Sequence, residues 1–258
     1  MSERELDGRV VIVFGAGSSG PGLSNGEAAA LAYARAGALV AVVDRDSAEA
    51  ERVAKEITTT GGAALAVTAD VTVEADVAAA IASVVAATGP PHVLHNNVGA
   101  SVVGDLAATD LATWNHGIAV NLTSAYLTCR YTLPHMLAAG RGVIVNVSSL
   151  ASIRDTGYVY PVYSAAKAGL NQLTVSLALT HARDGLRANA VLPGLIDTPM
   201  VARQVTTELA ARHAASPTGR MGSPHDVANA AVFLASDRAA YINGVCLPVD
   251  GGLFARSV

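Results

Sequence analysis

The sequence predicts an α/β protein: one domain spanning residues 1–258, built on a seven-stranded parallel sheet that is doubly wound, with helices flanking it on both faces. Two observations carry this expectation. Short Val/Ile/Leu-rich runs alternate with Ala-rich segments of helical period, the pattern of parallel strands joined by crossover helices. Glycines and polar residues also recur just after those runs, at the carboxyl ends of the strands, where such sheets bind ligands.

The first strand, Val10–Phe14, is unbroken apolar sequence and leads through a glycine-rich loop into a helix over Gly26–Ala36. Leu39–Asp44 is the second strand, followed by the amphipathic helix Ser47–Thr59. Gly61-Gly62 turns the chain into a third strand, Ala64–Ala69, and a third helix, Glu74–Thr88. Beyond Gly89-Pro90-Pro91 come a short strand, His92–His95, and a long helix, Leu111–Ala139, which Pro134 should kink or break because it lacks an N–H to donate. Gly140-Arg141-Gly142 opens the fifth strand, Gly142–Val147, and the helix Tyr163–Ala182 crosses over to the sixth, Arg187–Leu192. A short helix at Val201–Ala211, another at Pro224–Ala235 and a last strand at Val245–Val249 complete the pattern.

Composition narrows the function. Hydrophobic residues make up 51% and charged residues 15%, as expected of a globular chain with a large core, and aromatics at only 4% leave Ala, Val and Leu to fill it. The net charge is −4 with no Lys/Arg cluster that would follow a phosphate backbone, so nucleic acid is not an expected partner. No uninterrupted apolar run reaches about 18 residues, and Met1-Ser2-Glu3-Arg4-Glu5 is acidic where a secretion signal would be basic, so no membrane is expected and the location expected is cytoplasmic. Cys129 and Cys246 sit in apolar stretches and read as core fillers. The seven histidines show no ligand spacing, so no metal site is expected, and they read as loop and surface residues.

Two motifs carry chemistry. Gly15-Ala16-Gly17-Ser18-Ser19-Gly20-Pro21-Gly22-Leu23-Ser24-Asn25-Gly26 lies between the first strand and first helix, where backbone amides and a helix N-terminus hold a pyrophosphate. Asp44 ends the second strand eighteen residues after Gly26, near the spacing of an acid that accepts ribose hydroxyls. That carboxylate repels a 2′-phosphate and favours NAD; Arg45 beside it keeps NADP as the alternative. The second motif is Tyr163 and Lys167, four apart and therefore on one face of a helix. Lowering a tyrosine by about three pKa units takes roughly 4 kcal/mol. An ammonium at about 4 Å and an effective dielectric near 20 supplies roughly that amount.

These motifs stand in a longer series: Asp70, Asn96-Asn97-Val98-Gly99, Asn121, Ser148-Ser149, Pro193-Gly194-Leu195-Ile196-Asp197-Thr198, Gly219-Arg220-Met221-Gly222 and Asp250-Gly251-Gly252. With them the chain resembles the short-chain dehydrogenase/reductase family over nearly its whole length. The resemblance implies a Rossmann-type fold and hydride transfer between a nicotinamide and the carbon of a ketone or secondary alcohol. It assigns Tyr163 as general acid and base, Lys167 to lowering its pKa and binding ribose, Ser149 to the substrate oxygen, and Asn121 to a water linking Lys167 to solvent. Gly15, Ser18, Asn25, Gly26, Asp44, Arg45, Asp70, Val71, Asn97, Gly99, Pro193, Gly194, Ile196 and Thr198, with Tyr163 and Lys167, are the implied cofactor contacts. A homo-oligomer, by resemblance a tetramer, is expected too.

Each residue has a plainer reading: Asp44, Ser149 and Thr198 as caps, and Asn121 as a buried polar group that bends its helix. The chain also departs from the family pattern. Its glycine loop is about five residues longer, Val98 replaces an alanine, and Ser149 precedes Tyr163 by fourteen residues rather than thirteen. Tyr160 and Lys167 also fit the Tyr-x6-Lys spacing of divergent enoyl reductases, a rival use of the same site. A 3-oxoacyl thioester reductase and a nucleotide-binding regulator without turnover also compete with the alcohol–ketone reading. The apolar loops Ala100–Val103 and Leu195–Val201, with Tyr158 and Tyr160, point to a largely apolar substrate.

Overall fold

Strands that are apolar on both faces, as Val10–Phe14 is throughout, must be covered on both sides. The computed structural model, which describes residues 4–199, 201 and 209–256, meets that demand with helices on each face. Strands β1 (Val10–Phe14), β2 (Leu39–Asp44), β3 (Ala63–Thr68), β4 (Val93–Asn96), β5 (Gly142–Val147), β6 (Leu186–Pro193) and β7 (Cys246–Val249) form one sheet in the order β3-β2-β1-β4-β5-β6-β7. Every pairing is parallel. Along β1, Val11 and Val13 pack with helices α1 (Asn25–Arg35), α2 (Ser47–Thr59) and α8 (Pro224–Ala235). Val10, Ile12 and Phe14 pack on the other face with α3 (Glu74–Thr88), α5 (Ser124–Ala138) and the end of α6 (Pro161–Thr180). The chain runs outward from β1 to β3 and then returns to β4 on the other side of β1, opening a crevice above the carboxyl ends of β1 and β4.

The expected single helix over Leu111–Ala139 is instead α4 (Leu111–Ile118), a π-helical turn (Ala119–Thr123) and α5. Inside that turn, Asn121 Nδ2 donates to Gly117 O and Ala100 O, both at 2.9 Å. A side chain tied to both its own helix and a neighbouring loop widens the turn locally. Pro134, expected to kink or break the helix, lies within α5 near its end and does not break it; Met136 just beyond is fully buried. The short helix expected at Val201–Ala211 falls largely outside the described residues; Val201 is helical, and α7 (Leu209–Ala215) runs past the expected end. Among the described residues no helix is long and apolar enough to cross a membrane.

Not every histidine is a surface residue, contrary to the sequence reading. His95 is 1% exposed on β4, with Nδ1 3.1 Å from the hydroxyl of fully buried Tyr33. His92 Nδ1 accepts from Val10 N at 3.0 Å. Next to His95, Asn96 Nδ2 donates to Asn146 Oδ1 at 2.9 Å, Asn146 Nδ2 donates to Thr174 Oγ1 at 2.8 Å, and Thr128 Oγ1 donates to Asn96 Oδ1 at 2.7 Å. This buried chain ties β4 and β5 to α5 and α6, so the two helices that flank the crevice keep a fixed height on the sheet.

Burial pushes His95 down to about 3 from 6.5, so it folds as the neutral imidazole. Between those values the unfolded chain binds the extra proton, and stability is therefore lost as pH falls below about 6.5. Denaturant unfolding from pH 6.5 downward should show wild type losing up to about 1.4 kcal/mol per pH unit relative to His95→Gln, which keeps a polar partner for Tyr33 but cannot titrate in this range. Parallel pH profiles for the two proteins would count against a neutral buried His95.

Candidate active site

The carboxyl ends of the strands open into a cleft of about 1490 Å³, lined by residues from the nucleotide motif at one end and by Ser149, Tyr163 and Lys167 at the other. Of the sequence-derived site residues, Gly15, Ser18, Asn25, Asp44, Arg45, Asp70, Val71, Asn97, Gly99, Pro193, Gly194, Ile196 and Thr198 also line it. Gly26 and Asn121 stand just behind its wall.

The enlarged glycine turn is folded on itself by serines. Ser18 Oγ lies 2.8 Å from Gly20 O and 3.0 Å from Gly22 O, while Ser24 Oγ donates to Gly17 O at 2.8 Å and accepts from Glu27 N as the N-cap of α1. Two carboxylates fix the loop from outside. Gly17 N donates to Asp44 Oδ2 and Ser18 N to Glu49 Oε2, both at 2.9 Å. Glu49 is in turn paired at 2.9 Å with Arg52, which also meets the buried Glu27 at 2.9 Å. A Cβ on Gly26 would sit 1.9 Å from Gly15 O, and Asn97 Nδ2 holds that same carbonyl at 2.9 Å. The end of β1, the start of α1 and the loop after β4 therefore meet with no room for a side chain.

These residues fit a nicotinamide dinucleotide. The first turn of α1 leaves the amides of Asn25 and Gly26 without intrahelical acceptors at the cleft wall, a natural seat for a pyrophosphate. Asn25 Oδ1 is buried with no hydrogen-bond partner among the described residues. Asp44 already accepts from Gly17 N and, through Oδ1, from Asp46 N at 3.1 Å, and each carboxylate oxygen keeps a further lone pair for a ribose hydroxyl. Asp70 Oδ1 binds Thr72 N at 2.8 Å and Thr72 Oγ1 at 2.6 Å, which shapes the turn after β3 and holds the Asp70 carboxyl below its usual range.

At the chemical end, α6 begins with Pro161 and carries Val162 into the core, so Tyr163 and Lys167 face the cleft one turn apart. Lys167 is 2% exposed, and its Nζ donates to Val147 O, at the end of β5, at 2.9 Å. Burial lowers this lysine to about 8. Burial pushes the Tyr163 phenol up to about 12, against the opposing pull of the Ser149 side chain. Nζ lies 5.8 Å from the Tyr163 ring centroid, and burial acts on the phenol in the direction opposite to the lowering expected from the ammonium. Ser149 also caps a short 3-10 turn, accepting from Ala151 N at 3.2 Å.

Asn121 spends its side chain on backbone. Its Oδ1 accepts from Ala100 N at 3.0 Å, beside the two bonds made by Nδ2, so it clamps the loop after β4 against Lys167. Gly99 is at that contact, where a Cβ would sit 3.0 Å from Lys167 Nζ. The loop carrying Ile196 and Thr198 is pinned by Gly222 N to Leu195 O and by Asp197 N to Gly222 O, both 2.9 Å, and Gly194 packs against Asp250. Those contacts give the Gly219–Gly222 and Asp250–Gly252 motifs their purpose.

Glu49 and three arginines escaped the sequence reading, and Tyr160 has a setting its spacing did not show. Glu49 was one helical residue among many. Tyr160 stacks on Tyr158 with centroids 5.7 Å apart and meets Tyr163 edge-on at 5.4 Å, and its hydroxyl is hydrogen-bonded to Thr156. Arg154, Arg212 and Arg256 all line the cleft that was expected to be apolar. Arg154 donates to Phe254 O at 2.5 Å and to Arg256 O, while Arg256 donates to Ala215 O at 3.2 Å, so the C-terminal segment and α7 form a wall of the cleft.

Replacing Gly26 with alanine forces apart Gly15 O, Asn97 and α1. Fluorescence titration of Gly26→Ala with NADH should show at least tenfold weaker binding; undiminished affinity would mean that this contact does not shape the nucleotide seat.

The comparisons agree with this geometry. Residues 23–254 match the family model described as Enoyl-(Acyl carrier protein) reductase. The chain is 43% identical to cis-4-hydroxycyclohexanecarboxylate dehydrogenase of Sinomonas cyclohexanicum, over 96% of this chain and 97% of that one. It is 42% identical to inactive 2-(S)-hydroxypropyl-CoM dehydrogenase 2 of Xanthobacter autotrophicus, over 88% of this chain and 99% of that one. A crystal structure of a short-chain dehydrogenase/reductase from Burkholderia xenovorans superposes with a TM-score of 0.94 at 43% identity, covering 98% of this chain and 99% of that one. The chain belongs to the short-chain dehydrogenase/reductase family, whose dehydrogenases use nicotinamide cofactors, and is an NAD(P)-dependent oxidoreductase of the alcohol and carbonyl type.

Proposed function

We propose that the protein is an NAD-preferring dehydrogenase that interconverts a secondary alcohol and its ketone, with Tyr163 as the proton-transfer group. The observation that carries this is the convergence of Ser149, from the turn after β5, with Tyr163 and Lys167, one turn apart on α6, on the wall of one cleft. In ketone reduction the nicotinamide supplies the hydride. Tyr163 Oη delivers its proton to the carbonyl oxygen, and the Ser149 hydroxyl steadies the negative charge that grows there. A phenol held at about 12 carries that proton throughout the neutral range. In alcohol oxidation Tyr163 takes the proton back, so that direction should quicken as pH rises. Lys167, at about 8, stands where it exchanges protons near neutrality, and Asn121 keeps the Gly99–Ala100 backbone against it.

The preference for NAD is supported by two carboxylates, Asp44 and Glu49, bonded to the glycine loop where a 2′-phosphate would otherwise lie. Arg45 is exposed and its charge acts on Asp70, which offsets the attraction it would offer a phosphate. Relatives are named for a 4-hydroxycyclohexanecarboxylate and a 2-hydroxypropyl-CoM, names that describe secondary alcohols, which supports that substrate class here. One of these relatives is named inactive, whereas this chain has the complete Asn121, Ser149, Tyr163 and Lys167 set.

An enoyl reductase using Tyr160 is the second reading, favoured by the Tyr160–Lys167 spacing and by the description of the matching family model. Against it, the Tyr160 hydroxyl is already engaged with Thr156. The test is a panel of ketones, secondary alcohols, 3-oxoacyl thioesters and enoyl thioesters, each assayed with both cofactors. Turnover of ketones and alcohols with NAD at least tenfold more efficient than with NADP is expected. Reduction of enoyl thioesters alone overturns the carbonyl reading, and a preference for NADP overturns the role given to Asp44.

A further inference from the structure

Arg212, on α7, is 7% exposed and lines the cleft, yet no carboxylate among the described residues forms an ion pair with it. Its Nη1 donates to Tyr158 Oη at 2.7 Å, and its guanidinium carbon lies 5.6 Å from the Tyr158 ring centroid. Both contacts are with one neutral residue. Its Nε is buried with no hydrogen-bond partner among the described residues. An arginine cannot shed its charge, and a buried charge without a counter-ion is costly. A side chain in this position normally finds its partner in the space it faces, here the cleft.

We infer that the substrate carries an anionic oxyacid group, a carboxylate or a sulfonate, which is bound by Arg212 in the cleft that also holds Tyr163. This rests on the alcohol–ketone reading of the same cleft. Tyr163, Tyr160 and Tyr158 follow one another at 5.4 and 5.7 Å, with Arg212 against the last ring. A substrate that spans from Tyr163 to Arg212 passes these rings, which offer its spacer an apolar wall. Arg256, on the C-terminal segment, is an exposed second cation on the same cleft; Arg154 donates to carbonyls of that segment and acts as its anchor. Asp155, also on the cleft, is exposed at the rim with Oδ1 accepting from Gly157 N at 2.8 Å, and it opposes an anion only there. Arg212 is thus a specificity residue, and Tyr158 positions it.

The experiment compares 7-oxooctanoate, 7-oxooctane-1-sulfonate and 2-octanone as substrates with NADH, in wild type, Arg212→Met and Arg212→Lys. Wild type should use at least one of the two anions with kcat/KM at least tenfold above that for 2-octanone, and the better anion identifies the head group. In Arg212→Met that ratio should fall at least tenfold, with part of it restored in Arg212→Lys. A wild-type ratio near one, or a ratio unchanged in Arg212→Met, overturns the inference; the wild-type comparison stands even if the variant does not fold. Should none of the three ketones turn over, the alcohol–ketone reading fails for them, and calorimetry on the NADH-loaded protein decides the anion site. Octanoate or octane-1-sulfonate binding at least tenfold more tightly than 1-octanol, with the difference lost in Arg212→Met, supports it. Equal binding of all three overturns it.

Discussion

The geometry of the site depends on one buried cation. Lys167 has almost no contact with solvent, and its ammonium donates to the carbonyl of Val147, the last residue of β5. Such a charge is tolerated only where fixed dipoles face it, so α6 can dock on the sheet in few ways. The docking is reinforced nearby: Ser148 Oγ donates to Lys167 O at 3.1 Å, and Asn146 on β5 reaches Thr174 farther along the helix. With α6 fixed, Tyr163 falls one turn earlier beside Ser149, the residue that leaves β5. The loop after β4 must then pass close to Nζ, which leaves space only for glycine at 99, and Asn121 in its widened helical turn holds that loop in place.

Burial acts on both members of the pair in the direction of neutrality, lowering the lysine to about 8 and raising the tyrosine to about 12. Burial thus favours the protonated phenol at Tyr163. A tyrosine that holds its proton is well suited to deliver it to a carbonyl oxygen, and a lysine near neutrality is suited to restore it. The wider cleft divides along the same logic. Carboxylates gather at the glycine loop and arginines at the opposite end, so the two halves prefer ligands of different charge patterns.

Local pattern made much of this legible. Strands β1 to β7 were visible as apolar runs and the Tyr163–Lys167 pair as a helical spacing, whereas Ser149 and Asn121 were singled out by the family resemblance. What escaped depends on contacts between distant segments. The π turn at Asn121 arises from a bond to Ala100, and His95 is buried because Tyr33 meets it across 62 residues. Glu49 matters because it reaches Ser18, and Arg212 because α7 folds over Tyr158. Nothing in the spacing of those residues distinguishes them from ordinary helix-surface side chains. Helical spacing places Tyr163 and Lys167 on one face, and the structure puts both on the cleft, but the sequence carries no measure of the burial that raises the phenol.

That Tyr163, and not Tyr160, moves the proton is tested most directly by turnover of the same ketone by Tyr163→Phe and Tyr160→Phe, with NADH binding measured alongside. Tyr163→Phe should bind NADH as wild type does and lose activity by about a hundredfold or more, the scale of general acid catalysis. Tyr160→Phe, which removes only the hydroxyl bonded to Thr156, should keep most of its turnover. Activity that survives in Tyr163→Phe and disappears in Tyr160→Phe would give the proton to the wrong tyrosine and contradict the assignment.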